Sequence, residues 1–96
     1  DAVLARIPAA ERYYVTFDMA GLDPAVAPAV NSPSFGGLAY DQASALLRGI
    51  AAKGRVVGFD LVEIAPAFDV RGLTSLLGAR LALDLLGALA WNGRIG

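Results

Sequence analysis

The chain has 96 residues, 56% of them hydrophobic without counting its 11 glycines, and a formal net charge of −1. One small domain is the upper bound, and it carries more apolar side chain than a lone domain of this size hides easily, so burial against copies of itself or against a larger body is expected. The basic residues are scattered, which gives no electrostatic footprint for nucleic acid or a membrane surface, and the lack of cysteine and histidine excludes a disulfide framework, thiolate chemistry and imidazole chemistry.

The chain starts at Asp1 rather than at Met, so it is expected to be an incomplete or processed piece. No signal peptide is visible, and Arg80 and Asp84 interrupt the richest apolar run, so no uncharged stretch reaches bilayer length. The expectation is a soluble, cytoplasmic protein.

Residues 1–9 read as the tail of a short helix, with Val3, Leu4 and Ile7 at helical spacing and Pro8 ending it. Tyr13 to Phe17 is aromatic and β-branched and reads as a strand; its lack of clean alternation suggests cover on both faces. From Met19 to Leu38 nothing is periodic, and Pro24, Pro28 and Pro33 punctuate the stretch. A loop of about 20 residues is uncommon in a compact domain and is usually functional or disordered; its apolar residues Leu22, Val26, Val30 and Phe35 argue against disorder. A helix is predicted from Asp41 to Lys53, with Ala43, Leu46, Leu47, Ile50 and Ala51 on one face, Asp41 and Lys53 suiting the helix dipole, and Gly54 at the C′ position. A second strand runs from Arg55 to Val62. The last helix covers Leu73 to Ala90, with Leu73, Leu77, Leu81, Leu85 and Leu89 in one stripe and Gly78 and Gly87 allowing close packing.

This order is a βαβ unit with a trailing helix, so the class is α/β with parallel strands and a right-handed crossover. A parallel sheet needs cover on both faces and more than two strands, so the remainder must come from elsewhere. In such sheets ligands bind beyond the carboxyl ends of the strands. Asp18 and Glu63 stand at those ends, and neighbouring strands lie ~5 Å apart, so both carboxylates can face one crevice.

The residues Phe17-Asp18-Met19-Ala20-Gly21-Leu22-Asp23-Pro24, then Ala27-Pro28, Pro33 with Gly36-Gly37-Leu38, and Gly58-Phe59-Asp60-Leu61-Val62-Glu63 with Pro66 resemble the signature of the ureohydrolase family, which includes arginase and agmatinase. The resemblance runs from Tyr13 to Ala90, and the wording from Val56 to Asp69 is closer to the agmatinase branch. It implies a three-layer α-β-α fold around a parallel sheet, of which residues 1–96 form the C-terminal βαβα part of a single ureohydrolase-like domain. It implies a manganese-dependent hydrolase that releases urea from a guanidino compound with a hydroxide bridging two Mn²⁺ ions. Hard carboxylate and imidazole ligands suit Mn²⁺, and a dinuclear centre activates water. By the same resemblance Asp18 is a metal ligand, Glu63 holds the substrate guanidinium, whose paired N–H donors a carboxylate can accept bidentately, and the protein assembles as a trimer or hexamer.

The chain also departs from that pattern. Ala20 stands where the family has the second aspartate of a D-x-D pair, and a methyl group ligates nothing. The family's histidine-bearing segments lie upstream of everything present, so no catalytic residue is assigned, and the isolated chain is expected to hold Mn²⁺ weakly or not at all and to lack activity. The alternative is a non-catalytic ureohydrolase relative with an assembly or binding role. Among the other residues, Asp23 reads as a turn residue, and Asp60 as a strand residue that must be paired if it points inward. Gly36-Gly37 reads as backbone geometry, Tyr13, Tyr14 and Trp91 as packing residues, and Arg80–Asp84 as a solvated pair worth little.

Overall fold

A computed structural model of the chain describes residues 2–31, 33 and 35–93. Helix α1 is Ala2–Arg6, strand β1 is Arg12–Asp18, helix α2 is Tyr40–Lys53, strand β2 is Arg55–Val62 and helix α3 is Leu73–Trp91. Single 3₁₀ turns occupy Met19–Gly21, Pro66–Phe68 and Val70–Gly72. Each expected element is present with ends moved by a few residues, although Asp1 of the first expected helix lies outside the described residues.

β1 and β2 pair in parallel, with α2 in the connection. Their register sets Thr16 opposite Asp60 and Asp18 opposite Val62, with one irregularity between Tyr13 and Tyr14. Val15 of β1, Ala43, Leu47 and Ala51 of α2, and Leu81, Leu85 and Leu89 of α3 close into one core with Met19, Leu22, Ala27 and Val30 of the long loop. The loop is therefore part of the core.

Burial along β1 alternates, with Val15 buried, Tyr13 and Phe17 half-buried and the residues between them exposed. The described residues supply one helical layer and leave Tyr14 and Val57 exposed on the other face, where cover was expected to come from outside this segment. Trp91 is 90% exposed, and Tyr14 is exposed too, although its ring lies against Gly58 and its hydroxyl bonds to Asp60. Of the three aromatic residues expected to pack, Tyr13 is the half-buried one; its hydroxyl donates to Pro8 O and accepts from Ala10 N.

The leucine stripe of α3 holds at Leu81, Leu85 and Leu89, but Leu73 is exposed at its start. Gly78 faces Ile64, Leu61 and Met19 across a close contact, whereas Gly87 has open space around it. Gly54 ends α2 in an extended conformation, φ −172°, not the left-handed one of a C′ glycine. It is needed for room: a Cβ there would lie 2.6 Å from the Tyr13 ring and 2.8 Å from Ala10 O.

Arg80–Asp84 needs a larger correction. The Arg80 Nε to Asp84 Oδ1 distance is 3.5 Å, but the Asp84 side chain is only 19% exposed. Its Oδ2 accepts from Ser44 Oγ at 3.0 Å and from the Tyr40 hydroxyl. Tyr40 and Ser44 lie four apart on α2, so one carboxylate ties the two core helices. By length and composition the stretch Val70–Trp91 could cross a bilayer; here Leu81, Leu85 and Leu89 line the core and its acid is bonded to α2.

Candidate functional site

Asp18 is the last residue of β1, and its Oδ1 accepts from Ala20 N at 2.8 Å. It thus caps the 3₁₀ turn Met19–Gly21, whose Met19 is fully buried. The turn pins the strand end while the Asp18 side chain stays exposed. Ala20 is half-buried, packed against the core.

Glu63 follows the last residue of β2, whose register partner is Asp18. Sequence and topology thus bring the two acids to the same edge of the sheet. Glu63 is exposed and has φ of 71°. Left-handed backbone in a residue that is neither Gly nor Asn costs on the order of 1–3 kcal/mol and concentrates at functional positions. Its spacing in the sequence gave no sign of this conformation.

The long loop closes beside Asp18. Asp23 N donates to Leu38 O and Leu38 N to Gly21 O, both at 2.9 Å, forming a one-rung parallel bridge between Leu22 and Leu38. Asp23 accepts from Ala25 N at 2.9 Å and from Gly36 N at 3.1 Å, so both of its oxygens serve the turn, as expected. Gly36 has φ of 77°, and Gly37 lies against the backbone of Gly21, Leu22 and Asp23; the pair sets loop geometry.

Asp60 lies on the open face of the sheet. Its Oδ2 accepts from Tyr14 Oη at 2.7 Å and from Thr16 Oγ1 at 3.4 Å, and its Oδ1 is buried without a partner. The expected pairing is therefore half made. The Asp60 hydrogen bond, then its charge, and then burial push the Tyr14 phenol above its ordinary range.

Sequence reasoning missed the residue that starts α3. Asp69 accepts from Thr74 N at 2.8 Å, Ser75 N at 2.9 Å and Ser75 Oγ at 2.6 Å. It caps the helix across a turn in which Arg71 and Gly72 both have positive φ. The Ser75 hydroxyl first, then the two backbone N–H groups, outweigh burial and hold the Asp69 carboxyl below its usual range. An acid and a Thr-Ser pair five residues on was the available signal.

Among the described residues no group of three or more His, Cys, Asp or Glu side chains comes together as a metal site. Asp18 already gives one oxygen to a backbone N–H. A dinuclear Mn²⁺ centre needs several hard donors around each ion, so the residues of this chain do not by themselves fit one.

The arrangement, a parallel βαβ unit with a trailing helix, is that of the α/β arginase fold. Residues 1–87 match the model of the Arginase family, and the chain belongs to that family. It is 49% identical over 73 residues to an agmatinase of Photorhabdus laumondii, covering 76% of this chain and 24% of that protein. It is 50% identical over 74 residues to a mitochondrial agmatinase of Gallus gallus, covering 76% and 21%. Among solved structures, a hypothetical agmatinase from Burkholderia thailandensis superposes with a TM-score of 0.83 at 41% identity, covering 97% of this chain and 30% of that one. The proclavaminate amidino hydrolase of Streptomyces clavuligerus gives a TM-score of 0.75 at 38% identity, covering 82% and 26%. The chain thus spans about a quarter of the curated relatives it matches.

Proposed function

We propose that residues 1–96 are the C-terminal part of a single domain of an agmatinase-like, manganese-dependent guanidino hydrolase that releases urea and assembles as a homo-oligomer, a trimer or hexamer. The observation that carries this reading is Asp18 and Glu63 emerging at one edge of a parallel strand pair. Asp18 contributes a carboxylate to a metal site completed by other parts of the domain, and Glu63 accepts the guanidinium N–H donors. The positive φ of Glu63 supports its role, since strained backbone concentrates at functional positions and sets the direction in which the side chain leaves the chain.

Ala20 supports a second reading, a non-catalytic ureohydrolase relative kept for assembly or binding. Its methyl group is half-buried against the core two residues after Asp18, where a ligand would be needed. One experiment separates the two readings: metal content and urea release from agmatine in the full-length protein, with and without Ala20→Asp. On the hydrolase reading Ala20→Asp raises bound manganese per chain and accelerates urea release. If both stay at the level of the unmodified protein, the non-catalytic reading stands.

A further inference from the structure

The Thr74 side chain is polar and completely buried in the first turn of α3. Its Oγ1 accepts from Ala29 N at 3.1 Å. Ala29 is also completely buried, and its carbonyl accepts from Ala65 N at 2.8 Å. Ala65 is buried two residues beyond Glu63. One short path of hydrogen bonds therefore joins three segments: the start of α3, the long loop, and the chain just after the strained glutamate.

The path has a direction set by chemistry. Glu63 turns the chain out of β2 in a left-handed conformation, and such a conformation persists only when its surroundings over-determine it. The Ala65–Ala29 bond supplies that constraint on the far side of Glu63, while the near side is held by the strand register. Ala29 can serve as an anchor only if it is itself fixed, and its N–H is fixed by the Thr74 hydroxyl. Thr74 is in turn oriented by its own N–H, which donates to Asp69 Oδ1 at 2.8 Å. A valine at position 74 would fill the same space but leave the buried Ala29 N–H without its acceptor.

We infer that Thr74 is a positioning residue for Glu63, acting through the backbone of Ala29. This rests on the reading of Glu63 as the group that holds a guanidinium. In the full-length protein, with its metal removed by chelation so that no turnover occurs, agmatine binding is measured by titration calorimetry for the unmodified chain and for Thr74→Val, Thr74→Ser and Glu63→Gln. Thr74→Val is expected to weaken binding about tenfold, the effect of losing roughly one well-placed hydrogen bond, and Thr74→Ser, which keeps the hydroxyl, is expected to restore binding. A merely structural loss would lower melting temperature without this hydroxyl-dependent change in affinity.

Amide exchange in the unmodified protein gives a second test that does not require Thr74→Val to fold. Agmatine should slow exchange at both Ala29 and Ala65, since binding at Glu63 and order along the path are reciprocally coupled. Binding unchanged in a folded Thr74→Val, or agmatine binding that leaves both amides unaffected, overturns the inference while the reading of Glu63 stands. If Glu63→Gln binds agmatine as the unmodified protein does, the guanidinium reading itself fails, and the inference falls with it.

Discussion

Gly37→Ala is the substitution for which the fold makes the sharpest demand. A Cβ at this position would lie 2.7 Å from Asp23 N, 2.7 Å from the carbonyl carbon of Leu22 and 2.8 Å from Gly21 O. All three are backbone atoms, so no rotamer change relieves the clash. The chain must either distort or open the bridge between Leu22 and Leu38. Opening it forfeits the two bridge hydrogen bonds and the Gly36 N–Asp23 Oδ2 bond. At about 0.5–1.5 kcal/mol each, the three together cap the loss at about 4.5 kcal/mol. Gly36→Ala is the matched control: its neighbourhood is open, but its φ of 77° disfavours a side chain, worth about 1–2 kcal/mol. Urea denaturation of the full-length protein and both variants measures the two costs, with the slope checked for constancy. Gly37→Ala should shift the midpoint further than Gly36→Ala. A Gly37→Ala protein as stable as Gly36→Ala would refute the argument that the loop is clamped by backbone approach.

Asp84→Ala removes the shared acceptor of Tyr40 and Ser44 and should cost about 2–3 kcal/mol, as hydrogen bonds to a charged group do, measured by the same denaturation. Burial pushes the Asp84 carboxyl up, but the Tyr40 and Ser44 hydroxyls and the Arg80 guanidinium outweigh it and hold the group below its ordinary range. Its stabilisation is therefore complete above the unfolded carboxylate range near ~3.9 and disappears as pH falls through the lower folded value; Asp84→Asn should flatten that limb of the stability–pH curve. The Tyr40 phenol is pushed the other way, chiefly by its bond to Asp84, so its contribution is complete below ~10 and is lost as pH rises through the higher folded value. Tyr40→Phe should remove that alkaline loss. A Cβ on Gly58 would meet the Tyr14 ring at 2.4 Å, so Gly58→Ala must displace the ring that bonds to Asp60. Gly58→Ala and Tyr14→Ala should then be strongly non-additive in a double-mutant cycle, and additive values would mean the ring does not lie over Gly58.

What could be read from the sequence followed from periodicity and punctuation. Arg55 to Val62 is β-branched, apolar and bounded by Gly54 and the acid at 63, and the strand has those ends. The α2 face of Ala43, Leu47 and Ala51 entered the core because helical spacing leaves no other place for it. Contacts made by hydroxyls and backbone across long separations were not legible. Asp84 reads locally as half of an i,i+4 pair with Arg80; only the approach of α2 supplies Tyr40 and Ser44. The same holds for Thr74, which lies 45 residues from the N–H it accepts.

The two candidate site residues differ in how their positions are enforced. Asp18 is fixed locally: the strand ends, the turn begins, and its own carboxylate caps that turn through Ala20 N. Any acid or amide that accepts this bond could hold the turn, so the geometry at 18 does not by itself require a carboxylate, and a ligand role needs the neighbouring position to contribute as well. Ala20 contributes a backbone N–H and a methyl group. Glu63 is fixed globally, by strand register on one side and by the Ala65–Ala29 bond on the other. Glycine would adopt φ of 71° with less strain, and no described residue bonds to the Glu63 carboxylate to explain why an acid is there. A strained backbone carrying an exposed, unpaired acid at the edge where α/β proteins bind ligands is a stronger mark of function than the capped aspartate. In this segment the backbone at Glu63 therefore marks a functional position more clearly than the capping geometry at Asp18 does.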